Sequence, residues 1–286
     1  MQEKNIFPKE IDGVLNPWLD VADRIQGNPS CALFYQGDPN YFVASLGKDG
    51  HDIKDKAELF TSELPSSKND EYNLITCIPP EPWQGNPLEA KLVILTLNPG
   101  YVEKQNHILA DSIQNTEGIN SSIADFKAQT LRLEAKSFLP ENSNKDGGLS
   151  PADYINIIGD WYWYKKFTPL MEKLQGDLNE KEFFKNVAII QYLPYTSISY
   201  KDKKYKGIGS LEYTKKLVLE ILEKKENNIV LVLRGSSKWE ALLQDEYDLK
   251  TSNKVIINKN RSQSISPSNL GVENFENICK ILRNNE

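Results

Sequence analysis

Histidine is almost missing from this chain: among 286 residues there are only His51 and His107. No HExxH pattern is possible with them, which excludes the zincin type of metalloprotease, and they leave little for a Ser-His-Asp hydrolase. The three cysteines, Cys31, Cys77 and Cys279, stand far apart and form no CxxC pair. Neither a zinc site nor a disulfide framework is expected from them. No segment offers the about 18 consecutive apolar residues of a membrane-spanning helix. The opening MQEKNIFPKE lacks the apolar centre of a signal peptide. A cytoplasmic protein with no membrane partner is expected. The phosphate-binding pattern GxxxxGK is absent, as is the nucleophile elbow GxSxG. Gly207 and Gly209 are followed by Ser-Leu-Glu and follow no strand, so a dinucleotide fingerprint fails as well. No metal and no small-molecule cofactor is expected.

What is present is an ordinary folded composition, 39% hydrophobic and 26% charged, on a chain long enough to bury a sizeable core without staples. The net charge of −6 speaks at first against a nucleic-acid partner. Its distribution changes that. Residues 1–90 carry 7 basic and 15 acidic side chains, while 91–286 carry 27 and 25, a net of +2. Two basic stretches lie in the second part. Residues 199–216 hold six lysines against Asp202 and Glu212, and 250–262 hold Lys250, Lys254, Lys259 and Arg261 with no acid. Taken alone, such runs read as solvated faces.

Residues 1–90 are rich in turn-formers: NPW at 16–18, GNPS at 27–30, GDPN at 37–40, KDGHD at 48–52. The apolar pieces between them, CALF at 31–34 and YFVASL at 41–46, read as short strands or turns. CIPPEPWQGNP at 77–87 reads as an extended connector, since each proline pushes its neighbour away from the helical region. From residue 91 the pattern is regular. KLVILTL (91–97), VAIIQYL (187–193), NIVLVL (228–233) and KVIIN (254–258) are short β-rich apolar runs, the mark of strands buried on both faces. Helices are expected at 121–139, 152–175, 211–225, 237–244 and 274–284. Buried strands alternating with helices imply a parallel sheet with right-handed crossovers, and ligands of such sheets lie beyond the carboxyl ends of the strands. The residues to watch therefore follow the strands: Asn98 to Gly100, Gln191 to Ser197, Arg234 to Lys238, and Asn260 to Gly271.

Those strand-end residues carry a resemblance. Leu95-Thr96-Leu97-Asn98-Pro99-Gly100 resembles the first motif of the uracil-DNA glycosylase superfamily, a strand ending in G-Q-D-P-Y or G-I-N-P-G. Ser266-Pro267-Ser268-Asn269-Leu270-Gly271 resembles its second motif, H-P-S-P-L-S or N-P-S-G-L-S. LVLRGSSK at 231–238 is similar to the intervening L-L-W-G-S segment, and the three stand in family order. The resemblance covers about residues 77–286. It implies an α/β fold, three-layer αβα with a central, mainly parallel four-stranded sheet. Residues 1–76 would be an N-terminal extension packed on or inserted into the same globule.

What the resemblance implies for function is a monofunctional DNA glycosylase acting as a monomer on DNA. Such an enzyme takes a base out of the stack, cleaves its N-glycosidic bond and leaves an abasic site. Asn98 would handle the water; an amide cannot take a proton at neutral pH, so it can only orient it. Ser266 stands at the His or Asn position that meets the leaving base, and is the main departure from the pattern. Leu270 matches the wedge that fills the vacated stack, with Pro267 and Ser268 holding that loop near a phosphate. Gln191 falls at the base-reading amide, with Tyr192 and Tyr195 beside it. Pro99, Gly100 and Tyr101 line the same site. Gly100 replaces a tyrosine that blocks larger bases, and Tyr101 or one of residues 161–164 would stack on the base. Ser236, Ser237, Lys238 and Arg261 would meet phosphates. The altered Ser266 and the extension favour a modified base, including the bulky cytosines of phage DNA, over ordinary uracil repair. Antiviral defence would then be the setting. Two other readings stay open: a nucleic-acid-binding module without catalysis on the same scaffold, favoured by the neutral Asn98 and the missing His, and an unrelated α/β enzyme acting on a small molecule.

Overall fold

A computed structural model of the chain describes residues 8–19, 21, 35, 37–38, 60–61, 74–75, 80–100, 162–197, 199–200, 208–224 and 227–283. Near the start, β1 (Glu10–Ile11) and β2 (Val14–Leu15) form an antiparallel hairpin. Its turn is Asp12-Gly13, both at positive φ, as a two-residue turn matched to strand twist requires. β3 (Phe60–Thr61) pairs in parallel with β4 (Leu74–Ile75).

The four apolar runs form the heart of a five-stranded sheet. β5 (Trp83–Gln84) is followed by β6 (Leu92–Thr96), then α1 (Tyr162–Leu174), α2 (Glu180–Lys185), β7 (Val187–Gln191), α3 (Leu211–Lys224), β8 (Ile229–Val232), α4 (Ser236–Leu243), β9 (Val255–Ile257), α5 (Pro267–Leu270) and α6 (Val272–Arg283). The strand order is β5-β7-β6-β8-β9. β6, β7 and β8 are buried along their whole length, so continuous apolar runs replace the alternation of a one-sided sheet. β6 pairs in parallel with β8, and β8 with β9. β7 runs the same way beside β6, from Leu92 N–H donating to Asn186 O at one end to Leu193 N–H donating to Leu97 O at the other.

The fifth strand corrects the expected count of four. Residues 77–87 are not wholly a connector: Trp83–Gln84 sits at the sheet edge, antiparallel to β7. Gln191 N–H donates to Pro82 O and Glu81 N–H to Pro194 O. Proline has no N–H to give, so an edge is where a proline-flanked strand can pair. The expected helix at 121–139 lies outside the described residues, as do the strands at 31–34 and 41–46 and the first ten residues of the helix at 152–175. The other three helices form within two residues of their expected bounds.

Right-handed crossovers explain the layers. The path from β6 to β7 moves one way along the sheet; those from β7 to β8 and from β8 to β9 move the other way. Reversal of direction puts the connecting helices on opposite faces. One face holds Leu92, Ile94, Val187, Ile189, Ile229 and Leu231 against Trp163, Phe167 and Leu170 of α1, Phe183 and Phe184 of α2, and Phe275 and Ile278 of α6. The alternate residues Val93, Leu95, Ala188, Ile190, Val230 and Val232 are equally buried, and the buried residues of α3 and α4 lie outside that cluster. The order of the four parallel strands makes β6 and β8 the topological switch point, the place where open α/β sheets bind ligands.

Two compact units form. One takes in Met1–Trp83, Leu97–Leu133 and Gln191–Val218, the other Gln84–Thr96, Glu134–Ile190 and Leu219–Glu286. The N-terminal region thus shares a unit with Asn98. In that unit Trp18 meets the edge of Tyr195, Trp83 meets Tyr213, and Tyr213 Oη donates to Pro8 O.

Candidate functional site

In the first unit the chain leaves β6 through Leu97 and reaches Asn98-Pro99-Gly100. The neighbouring segment 193–197 keeps pace with it: Leu193 N–H donates to Leu97 O at 2.6 Å, and Gly100 forms a parallel bridge with Ser197. This pairing delivers the Ser197 side chain to Asn98. Asn98 Nδ2 donates to Pro99 O at 3.0 Å and to Ser197 Oγ at 3.0 Å, and Ser197 Oγ donates to Ser199 O at 3.0 Å. Hydrogen-bond direction fixes the amide. Pro99 O can only accept, and the single Ser197 proton is committed to Ser199 O, so both neighbours of the amide demand a donor. Nδ2 must face them, and Oδ1 faces away, with no protein partner among the described residues. An acceptor with a fixed direction and no protein partner can hold a water by its hydrogen.

Gly100 is exposed, and a Cβ there would meet nothing within 4 Å among the described residues. Its φ is not positive, so neither backbone conformation nor crowding calls for glycine; what the glycine leaves is space. Pro99 is buried. Gln191 ends β7 only 2% exposed, and its Oε1 has no hydrogen-bond partner among the described residues. An unpaired buried amide oxygen is costly, of order 1–3 kcal/mol. Tyr192 is half-buried. Tyr195 is committed elsewhere: its hydroxyl donates to Asp38 Oδ2 and accepts from Tyr35 N at 3.0 Å. Asp38 is fully buried, and also accepts from Ser210 N at 2.7 Å and Ser210 Oγ at 3.0 Å. Burial pushes its carboxyl up to about 6, against these hydrogen bonds, which pull it down. Tyr101, expected to line the site, lies outside the described residues.

The second unit holds the rest. Arg234 follows β8 and is exposed; Gly235 at φ +71° turns the chain into α4, whose first turn carries Ser236, Ser237 and Lys238. Trp239 anchors that turn, fully buried, with Nε1 donating to Thr96 O at 3.2 Å. Beyond β9, three asparagines tie the loop that carries the second motif. Asn258 Nδ2 reaches Leu233 O, Asn260 O and Ser262 O; Asn260 Nδ2 donates to Asn269 O; Asn269 Nδ2 donates to Ser262 O and Ser264 O. Arg261 is exposed within this loop. The Ser266 and Ser268 hydroxyls lie 3.1 Å apart, and Pro267 and Ser268 face solvent.

Two expectations are corrected here. Leu270 is not presented as a wedge: it is 7% exposed and packs in the core with Phe275 and Ile278, because the short α5 turns it inward. Trp163 cannot stack on a base either, since it is buried against Phe167 with ring centroids 6.0 Å apart. A groove of about 440 Å³ in this unit, lined by Tyr164, Met171, Leu178 and Phe183 among others, contains none of the strand-end residues. Among the described residues no three His, Cys, Asp or Glu side chains converge to hold a metal, and no helix is long and apolar enough to cross a membrane. The sequence reading missed Asp38, and it gave no role to Ser197, Asn260 and Asn269, which lie in its strand-end segments, or to Asn258 at the end of its last strand. Each acts through partners distant in the chain or through backbone carbonyls, which leave no local motif.

Comparison with family models, with curated proteins and with solved structures finds no match for the chain.

Proposed function

We propose that this protein is a DNA glycosylase of the uracil-DNA glycosylase type that removes a modified pyrimidine and leaves an abasic site. The observation that carries the reading is Asn98. Its amide stands directly after the central strand, both donors spent on fixed acceptors, with Oδ1 turned outward. In the reaction the C1′–N bond breaks and its electron pair leaves with the base. A water oxygen bonds C1′, and the proton it sheds passes through solvent to the departing base. Asn98 Oδ1 holds that water by one hydrogen and takes no proton. The resemblance gives Ser266 the leaving-base role; within its own unit its hydroxyl lies 3.1 Å from that of Ser268.

Further support comes from position. Both motifs follow parallel strands in family order, and the switch point of the sheet lies between β6 and β8. The space that Gly100 leaves among the described residues favours a pyrimidine carrying a bulky substituent over uracil alone.

The test uses duplex oligonucleotides carrying uracil, 5-hydroxymethylcytosine or a glycosylated cytosine, with alkali to reveal abasic sites. Wild type is expected to cut at least one of them, and Asn98→Ala to be slower by about 10²–10³-fold, the usual loss of one pre-aimed polar group. No abasic product from any probe, with Asn98→Ala indistinguishable from wild type, would sink the reading.

A further inference from the structure

We propose that Ser197 is the positioning residue that sets the working orientation of Asn98; this rests on the glycosylase reading above. Oδ1 and Nδ2 are nearly equal in size, so packing alone does not decide which of them faces outward; hydrogen-bond partners do. Pro99 O belongs to the next residue, and it moves with Asn98. Ser197 is 99 residues away, on the segment that continues β7, and it is 1% exposed. Among the described residues it supplies the partner of Asn98 that lies outside the 98–100 turn, on a segment held alongside that turn by the Gly100–Ser197 bridge.

The serine works because its own proton is spent. Ser197 Oγ donates to Ser199 O, so toward Asn98 it can only accept. The line Asn98 Nδ2–H to Ser197 Oγ–H to Ser199 O runs in one direction. Its reversal would leave Ser199 O without that donor and set Asn98 Oδ1 against Pro99 O. Burial keeps water from substituting for the hydroxyl. A water at Oδ1 is thereby aimed by a hydrogen-bond chain whose far end is main chain. Misplacement of a reacting group by about 1 Å is enough to cost roughly a hundredfold in rate.

The test uses Ser197→Ala and Ser197→Thr in the full chain. Threonine keeps the oxygen and alanine removes it. In single-turnover excision on the duplex probes, Ser197→Ala should lose about 10- to 100-fold in rate with DNA affinity unchanged. Ser197→Thr should recover most of that loss. The side-chain amide resonance of Asn98, assigned by its disappearance in Asn98→Ala, should move in Ser197→Ala and stay near the wild-type position in Ser197→Thr. A Ser197→Ala protein as fast as wild type, or a threonine variant no better than the alanine one, overturns the proposal. If wild type yields no abasic product, the glycosylase reading falls by itself. The amide resonance then decides separately whether Ser197 orients Asn98, and an unmoved resonance in Ser197→Ala refutes it.

Discussion

Asp38 is a carboxyl group that water does not reach. Its Oδ1 accepts from Ser210 N, its Oδ2 from the Ser210 and Tyr195 hydroxyls, and still burial holds its pKa at about 6 against an ordinary 3.8. Between those two values the folded protein keeps a proton that the unfolded chain has lost. Stability from this residue is therefore fully present at low pH and is lost as pH rises from about 4 to about 6, the reverse of a salt-bridged aspartate. The full difference is of order 3 kcal/mol. Asp38→Asn cannot ionise, and an amide can serve the same hydroxyls. The stability of wild type relative to Asp38→Asn should thus decline across that window and stay level above it. Urea midpoints of the two proteins at about pH 4, 5, 6 and 7 check this; parallel curves would mean that Asp38 is not the cause. The sequence could not announce Asp38. GDPN reads as a turn, and the partners that make the residue unusual are 157 and 172 positions away. Asn98 was legible because its signal is local, an Asn-Pro-Gly directly after an apolar run.

Among the elements, those with a period or a continuous apolar run could be read, and those defined by partners could not. β6, β7 and β8 fall inside their expected segments because strands buried on both faces have no polar alternation to blur them. β5 is two residues between prolines, too short for any period. α2 did leave a signal: Asn179 and Glu182 form a capping box, each side chain bonded to the other's backbone N–H, although its six residues show little amphipathic repeat. What holds α1 and α2 to the sheet is an aromatic cluster. Phe167 is fully buried, stacked on Trp163 and edge-on to Phe183 and Phe184 at 5.5 and 6.0 Å. Phe167→Ala should cost about 3–5 kcal/mol of unfolding free energy, with Phe167→Leu costing less because it leaves a smaller cavity. Denaturant unfolding measures both; a loss below about 1 kcal/mol for the alanine variant would mean that the neighbours collapse into the space.

At the scale of the molecule, charge decides how DNA would be approached. The acidic excess lies in residues 1–90, and the remainder is slightly basic. Arg234, after β8, and Lys259 and Arg261, after β9, are exposed and have no ion-pair partner among the described residues; β8 and β9 are parallel neighbours. Cations left unpaired at one edge of a sheet can release counterions from a phosphate backbone. Arg283, by contrast, is tied to Asp177 with Nε 2.5 Å from Oδ2, and Lys173 to Glu276 at 2.9 Å. If the carboxyl ends of the strands meet DNA, each of the unpaired cations contributes about 0.9 to the slope of log affinity against log salt. Arg261→Ala should then lower the slope by about 1, equally for modified and unmodified duplexes, since a phosphate contact carries no sequence information. Arg283→Ala should leave it unchanged. Fluorescence anisotropy over a range of salt concentrations measures both. The reverse result, a slope reduced by Arg283→Ala and untouched by Arg261→Ala, would move the DNA footprint from the strand ends to the end of α6. Asn98 and Ser266 would then lose their claim to the reaction.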